Sequence, residues 1–149
     1  MKTRFVYALL SVAIVSSYSF SQLKDTLTFR VNMAVKWQEG KFNPSAGDSV
    51  RVVGSFNNWS TSDTTVRLTR NSGSDSIWVL TRVLDTSSVA SVYDKNDTIQ
   101  YKFFKTPRGG DWEGVSNRVY ALVNGSHTLP TWYFDNDSTV NALVSVNFR

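Results

Sequence analysis

The sequence predicts an all-β fold, an immunoglobulin-like antiparallel β-sandwich, and three observations carry that expectation. Apolar residues recur with a period of two over short stretches, as in half-buried strands. Glycine, asparagine and aspartate cluster between those stretches, where tight turns need them. No stretch of useful length carries the period of an amphipathic helix, so the strands must pack on one another as two sheets.

Taken in order, residues 1–21 read as a secretory signal. Lys2 and Arg4 form a basic start, and Phe5 to Val15 is mostly apolar. Ser19-Phe20-Ser21 offers small residues where a signal peptidase needs them, which places cleavage before Gln22. The apolar run is too short to span a bilayer. A secreted, periplasmic or cell-surface protein without a membrane span is expected. The sandwich is expected over residues 22–137. Its first strand alternates Leu27, Phe29, Val31, Met33 and Val35 with Thr28, Arg30, Asn32 and Ala34. Trp37 to Asp48 is turn-rich, and Val50 to Phe56 is a second strand closed by Asn57-Asn58. Thr65 to Thr69 is a short third strand, followed by an Asn71-Ser72-Gly73 turn.

Ile77 to Leu84 is apolar on both faces apart from Thr81 and Arg82, as a central strand would be. Asp85 to Asp97 is a polar loop. Thr98 to Lys105 sets Ile99, Tyr101 and Phe103 against Gln100, Lys102 and Phe104. Strands are expected again at Val119–Val123, Leu129–Phe134 and Ala142–Phe148. Residues 138–149 are either the last strand or the start of a truncated second repeat, because Val146-Asn147-Phe148-Arg149 echoes Leu27-Thr28-Phe29-Arg30.

Composition excludes several classes of function. Without Lys2 and Arg4 the 16 basic residues become 14 against 12 acidic ones, a net charge of only +2, and they do not cluster. Nucleic acid is therefore not an expected partner. The chain has no cysteine, so packing alone must hold it together. No metal or other cofactor is expected: His127 is the single histidine, it stands between Ser126 and Thr128 on an expected turn, and no cysteine could join it. Asp94-Lys95-Asn96-Asp97 and Asp135-Asn136-Asp137-Ser138 lack the glycine and distal glutamate of a calcium loop. No catalytic residues stand out. There is no Gly-x-Ser-x-Gly elbow, and nothing in the sequence would separate the acidities of Asp111 and Glu113.

The tryptophans say more. Trp78 lies in the most apolar strand and reads as core, while Trp37 and Trp132 flank turns as core-edge plugs. Trp59 and Trp112 instead follow strands in polar loops, the latter among Gly109, Gly110, Asp111 and Gly114. The glycines are expected to let the backbone hold the Trp112 ring clear of the sheet. Glu113 and Arg118 read as an ion pair or loop brace. Indole faces pack on the C–H faces of pyranose rings while nearby polar groups catch hydroxyls, so Trp59 and Trp112 with Lys102 and Asn117 suggest a sugar platform.

Gly54-Ser55-Phe56-Asn57-Asn58-Trp59-Ser60, Leu68-Thr69-Arg70 and Tyr101-Lys102-Phe103-Phe104 resemble the glycogen-binding modules of carbohydrate-binding family 48. Those modules occur in the β-subunit of AMP-activated protein kinase and beside branching enzymes. Trp112-Glu113-Gly114-Val115-Ser116-Asn117-Arg118, with Ile77-Trp78-Val79 and Leu27-Thr28-Phe29, resembles the starch-binding domains of family 20, which are appended to glucoamylases and related amylases. The resemblance runs from Leu27 to about Phe134 and implies a sandwich of the starch-binding-domain type without catalytic activity. It also implies that Trp59 and Trp112 stack on successive glucoses of a curved α-1,4 chain, that Lys102 and Asn117 bond to hydroxyls, and that Trp78 is structural.

Two departures stand out. Asn57-Asn58 replaces the usual Leu-Gly, and the turn after Leu68 has no tyrosine for a second site. The implied partners are an α-glucan polysaccharide or oligosaccharide and an amylolytic enzyme or surface glycan-uptake complex. The alternative is a secreted sandwich with an interaction or surface-structural role and no glycan ligand.

Overall fold

The first strand, β1 (Lys24–Asn32), buries Leu27, Phe29 and Val31 completely and leaves the intervening residues partly exposed, as its alternation requires. In the computed structural model, which describes residues 23–73, 76–86, 97–106 and 110–136, β1 is the spine of the first of two sheets. The signal expected at 1–21, the strand expected at 142–148 and most of the insert after Asp85 lie outside the described residues.

The other elements are a short helix α1 (Ala34–Gln38), β2 (Ser49–Gly54), β3 (Thr69–Arg70), β4 (Ile77–Asp85) and β5 (Thr98–Thr106). They are followed by β6 (Asp111–Trp112), β7 (Arg118–Ala121), β8 (Gly125–Thr128) and β9 (Trp132–Tyr133). The first sheet runs β3-β4-β1-β8, with β9 also on β1. The second runs β2-β5-β6, with β7 also on β5. The protein is an all-β sandwich, as its sequence predicts.

The core forms where the inner faces of β1, β2 and β5 meet. Phe29 of β1 meets Tyr101 of β5 edge-on at 5.2 Å and Phe56 at 5.6 Å. Val50, Val52, Ile99 and Phe103 complete the contact between layers. Each such side chain contributes roughly 1.5–3 kcal/mol by leaving water. With no disulfide, this burial is the main source of cohesion.

Several expected boundaries shift, each for a local reason. The first strand stops at Asn32 because the Asn32 side chain accepts from the Ala34 amide at 2.9 Å and starts a single helical turn, so Val35 is buried from α1. Phe56 follows β2 in a 3₁₀ turn (Ser55–Asn57). The expected third strand begins as another such turn (Thr64–Val66), where Asp63 accepts from the Thr65 amide at 2.9 Å, and only Thr69–Arg70 pair with β4. β4 is flanked on both sides near its start alone, and Val83 is exposed. The expected strand at Leu129–Phe134 reduces to β9 and a 3₁₀ turn (Phe134–Asn136).

Two findings run against expectation more sharply. β8 and β9 pair parallel to β1, so the sheets are not purely antiparallel. His127 is in strand β8, and not on a turn. Ser126, His127 and Thr128 carry no apolar alternation, so the strand is made by backbone pairing and by one buried carboxylate. That carboxylate is Asp25, which is fully buried and takes the His127 Nδ1 at 2.9 Å. It also accepts from the Val123 amide at 3.0 Å and the Tyr120 hydroxyl at 3.2 Å. Burial, and then the Asp25 charge, pushes the Tyr120 hydroxyl above its usual range.

Tyr120 belongs to β7 of the second sheet, so Asp25 ties the two sheets together at one edge. Asp25→Ala leaves the Val123 amide and Tyr120 hydroxyl without an acceptor and is expected to cost about 2–4 kcal/mol in chemical denaturation. An unchanged denaturation midpoint would remove Asp25 from the account of stability.

Candidate functional site

The outer face of the second sheet carries the site, and β5 supplies its floor. Inward positions Tyr101 and Phe103 fill the core, so Lys102 between them faces out beside β2, where it pairs in register with Val53. Among the described residues Lys102 makes no hydrogen bond or ion pair, which leaves its ammonium available.

Trp59 reaches this face from the loop after β2. That loop is wound tightly around Gly54, where any Cβ would lie 2.2 Å from the Gln100 carbonyl oxygen. The Asn57 side chain accepts from the Gly54 amide at 3.0 Å and donates to the Ser60 carbonyl at 3.0 Å. Asn58 and Trp59 are both left-handed, with φ of 53° and 57°. The Asn57-Asn58 pair that stands where Leu-Gly is usual therefore has work to do: one side chain braces the loop, and the other residue type tolerates a positive φ.

Trp112 comes from the opposite side, on β6, which pairs with β5 by setting Trp112 opposite Phe104. The expectation that its ring stands clear of the sheet is wrong. The indole lies on the Phe104 ring at 4.9 Å and is 38% exposed. Gly110, at φ 64°, makes that possible, since a Cβ there would come within 2.4 Å of Phe104 Cζ. The glycine serves close packing, and the tryptophan is half supported and half presented.

The four residues singled out in sequence come together. Trp59, Lys102, Trp112 and Asn117 line one open cleft of about 420 Å³. The indole centroids of Trp59 and Trp112 are 6.1 Å apart and their planes are inclined at 58°, so the aromatic surface is bent. Asn117 donates from Nδ2 to Gln100 Oε1 at 3.0 Å, which fixes its amide at the rim.

The expected brace is present and buried. Glu113 is 1% exposed, and its Oε1 accepts from the Phe103 amide at 2.8 Å and from Arg118 Nη1. The Arg118 guanidinium lies between the rings of Phe103 and Trp132, at 5.3 and 5.1 Å, and its Nη2 donates to Asn136 Oδ1 at 2.9 Å. Burial pushes the Glu113 carboxyl above its usual range, although the Phe103 amide and Arg118 pull the other way. Asp111 is turned to Lys105 at 2.8 Å. These two carboxylates thus have separate partners and do not face a common point. Among the described residues no group of three or more acidic, histidine or cysteine side chains comes together, and no helix is long and apolar enough to cross a membrane.

The other tryptophans occupy supporting places. Trp78 is buried, edge-on to Phe42 at 5.5 Å. Arg70 lies over Trp37 and Trp78 at 5.3 and 5.8 Å. Sequence reasoning missed Phe104, Gly110, Gln100 and Asp135. Phe104 left a signal, because an apolar residue at an outward strand position asks for something to cover it.

No protein-family model matches this chain, and no curated protein is similar to it. Among solved structures, a gamma-CGTase from the alkalophilic Bacillus clarkii is similar, with a TM-score of 0.50 and 15% identity. The match covers 74% of this chain and 15% of that one, so this chain spans a small part of the neighbour's length. The likeness is one of fold.

Glu113 supplies a prediction. The folded protein holds the Glu113 proton more tightly than the unfolded chain does. Its contribution to stability therefore falls as pH rises above the ordinary glutamate value of 4.5, until the carboxyl is ionised in both states. The melting temperature of wild type should fall relative to that of Glu113→Gln as pH is raised across this window. Parallel curves for the two proteins would contradict the assignment.

Proposed function

We propose that the chain is an exported, non-catalytic module that binds α-1,4-glucan, such as starch, glycogen or maltooligosaccharide, by stacking on Trp59 and Trp112. The observation that carries this reading is the pair of half-exposed indoles meeting at 58° and 6.1 Å in one cleft with Lys102 and Asn117. Each indole offers a pyranose ring an apolar face, and the Lys102 ammonium and Asn117 amide offer hydroxyls a donor and an acceptor. A bent platform suits an α-1,4 chain, whose successive rings turn, better than a flat β-1,4 ribbon. The likeness in fold to part of a cyclodextrin glycosyltransferase, an amylolytic enzyme, favours an accessory role beside starch-active proteins. The signal-like residues 1–21 favour export, with an amylolytic enzyme or surface glycan-uptake complex as partner. Glu113 is engaged in its brace and Asp111 with Lys105, which favours binding over hydrolysis.

Few contacts and an open cleft imply modest affinity, roughly micromolar to millimolar. Native electrophoresis in gels containing amylose or glycogen should retard the protein, while xylan and cellulose should not. Trp59→Ala and Trp112→Ala should each abolish retardation, and Lys102→Ala should weaken it less. Trp112→Ala should also lower the melting temperature slightly, because Phe104 loses its cover. Retardation by no glucan would replace this reading with that of an interaction or surface-structural sandwich without a glycan ligand.

A further inference from the structure

The Asn117 side of the cleft is carried by residues 113–118, a loop with no regular structure between β6 and β7. It is anchored at both ends from one place. The Gly114 amide donates to Asp135 Oδ1 at 2.6 Å, and Arg118 Nη2 donates to Asn136 Oδ1 at 2.9 Å. Asp135 Oδ2 in turn takes the Lys36 ammonium at 2.7 Å, and the Lys36 side chain is only 8% exposed. Lys36 also lies 3.6 Å from Glu39, so α1 of the first sheet's layer holds the carboxylate that holds the loop.

The backbone of this turn sharpens the point. Asp135 and Asn136 have φ of 62° and 57°, in the left-handed region that glycine enters without strain. Aspartate and asparagine tolerate it at some cost, and each contributes a side-chain oxygen that glycine lacks. Both oxygens are spent on the loop that carries Asn117. A buried ammonium also keeps the Asp135 carboxylate charged and aimed, and a charge-assisted bond to the Gly114 amide is about twice as strong as a neutral one.

We propose that Asp135 is a positioning residue for glucan binding: by holding Gly114 it sets where Asn117 stands across the cleft from Trp59. This rests on the glucan-binding reading above. Asp135 does not touch the sugar. It fixes in advance a loop that would otherwise have to be ordered when the ligand arrives, and that ordering would subtract from affinity.

Two substitutions separate positioning from general stability. Asp135→Gly removes the acceptor and eases the backbone at the same residue. Asp135→Asn keeps an oxygen for the Gly114 amide. In calorimetric titration with maltoheptaose, Asp135→Gly should bind about tenfold more weakly, the worth of one charge-assisted hydrogen bond, and Asp135→Asn should stay within about threefold of wild type. A ligand-free readout accompanies this: amide hydrogen exchange at Gly114 should quicken in Asp135→Gly and much less in Asp135→Asn. Wild-type affinity in Asp135→Gly, unchanged exchange at Gly114, or an Asp135→Asn variant as weak as Asp135→Gly would each overturn the proposal. Failure of the wild type to bind maltoheptaose would instead overturn the glucan reading, and the exchange measurement would still decide whether Asp135 anchors the loop.

Discussion

Both sides of one peptide in β5 are held by a single residue. The Phe103 amide donates to the Glu113 side chain at 2.8 Å, and the Phe103 carbonyl accepts from the Glu113 amide at 3.2 Å. This double hold ends the regular pairing of β6 after Trp112 and turns the following chain toward the open side of the sandwich. An ionised carboxylate has little reason to be so deeply buried unless it is matched. Arg118 matches it, flanked by Phe103 on one side and Trp132 on the other. Remove the match, and the loop carrying Asn117 and the strand carrying Trp112 lose their common support.

The site follows from the same strand that builds the core. Because side chains alternate along β5, Tyr101 and Phe103 lie inward and Lys102 must lie outward between them. Phe104 breaks the pattern by being apolar and outward, and Trp112 with Gly110 closes over it. One indole is thereby held at a fixed height above the sheet. The other is set by a loop whose positive-φ residues, Asn58 and Trp59, persist only because Asn57 ties the surrounding backbone. Rigid layers thus position a cleft whose own walls are loops and a two-residue strand.

Much of this was legible in the residues. Alternation at Leu27, Phe29 and Val31 and at Ile99, Tyr101 and Phe103 gives the two central strands, because a period of two has one physical meaning. The cleft residues were legible because indoles among polar turn residues are anomalous. β8 was not legible, since Gly125 to Thr128 shows no apolar period and owes its place to pairing with β1 and to Asp25 about a hundred residues earlier in the chain. Nor was the Lys36–Asp135–Gly114 chain, which joins residues far apart in sequence. Asp135-Asn136 reads locally as an ordinary turn pair, and only the fold reveals what its oxygens do.

The half-burial of Trp112 bears on what kind of site this is. A ring wholly clear of the sheet would offer two faces, but it would also sample several orientations, and binding would have to select one. A ring set against Phe104 gives up one face and part of its edge to hold the other still. The side-chain entropy that stacking would otherwise cost, of order 0.5–1.5 kcal/mol for each immobilised side chain, is spent on folding instead. Such a gain matters most when the contacts are few and the ligand is flexible, as an oligosaccharide is. The packing under Trp112, the knot at Asn57 and the anchor at Asp135 then serve one end. They make an open and otherwise weak cleft stiff enough to recognise the turn of a chain.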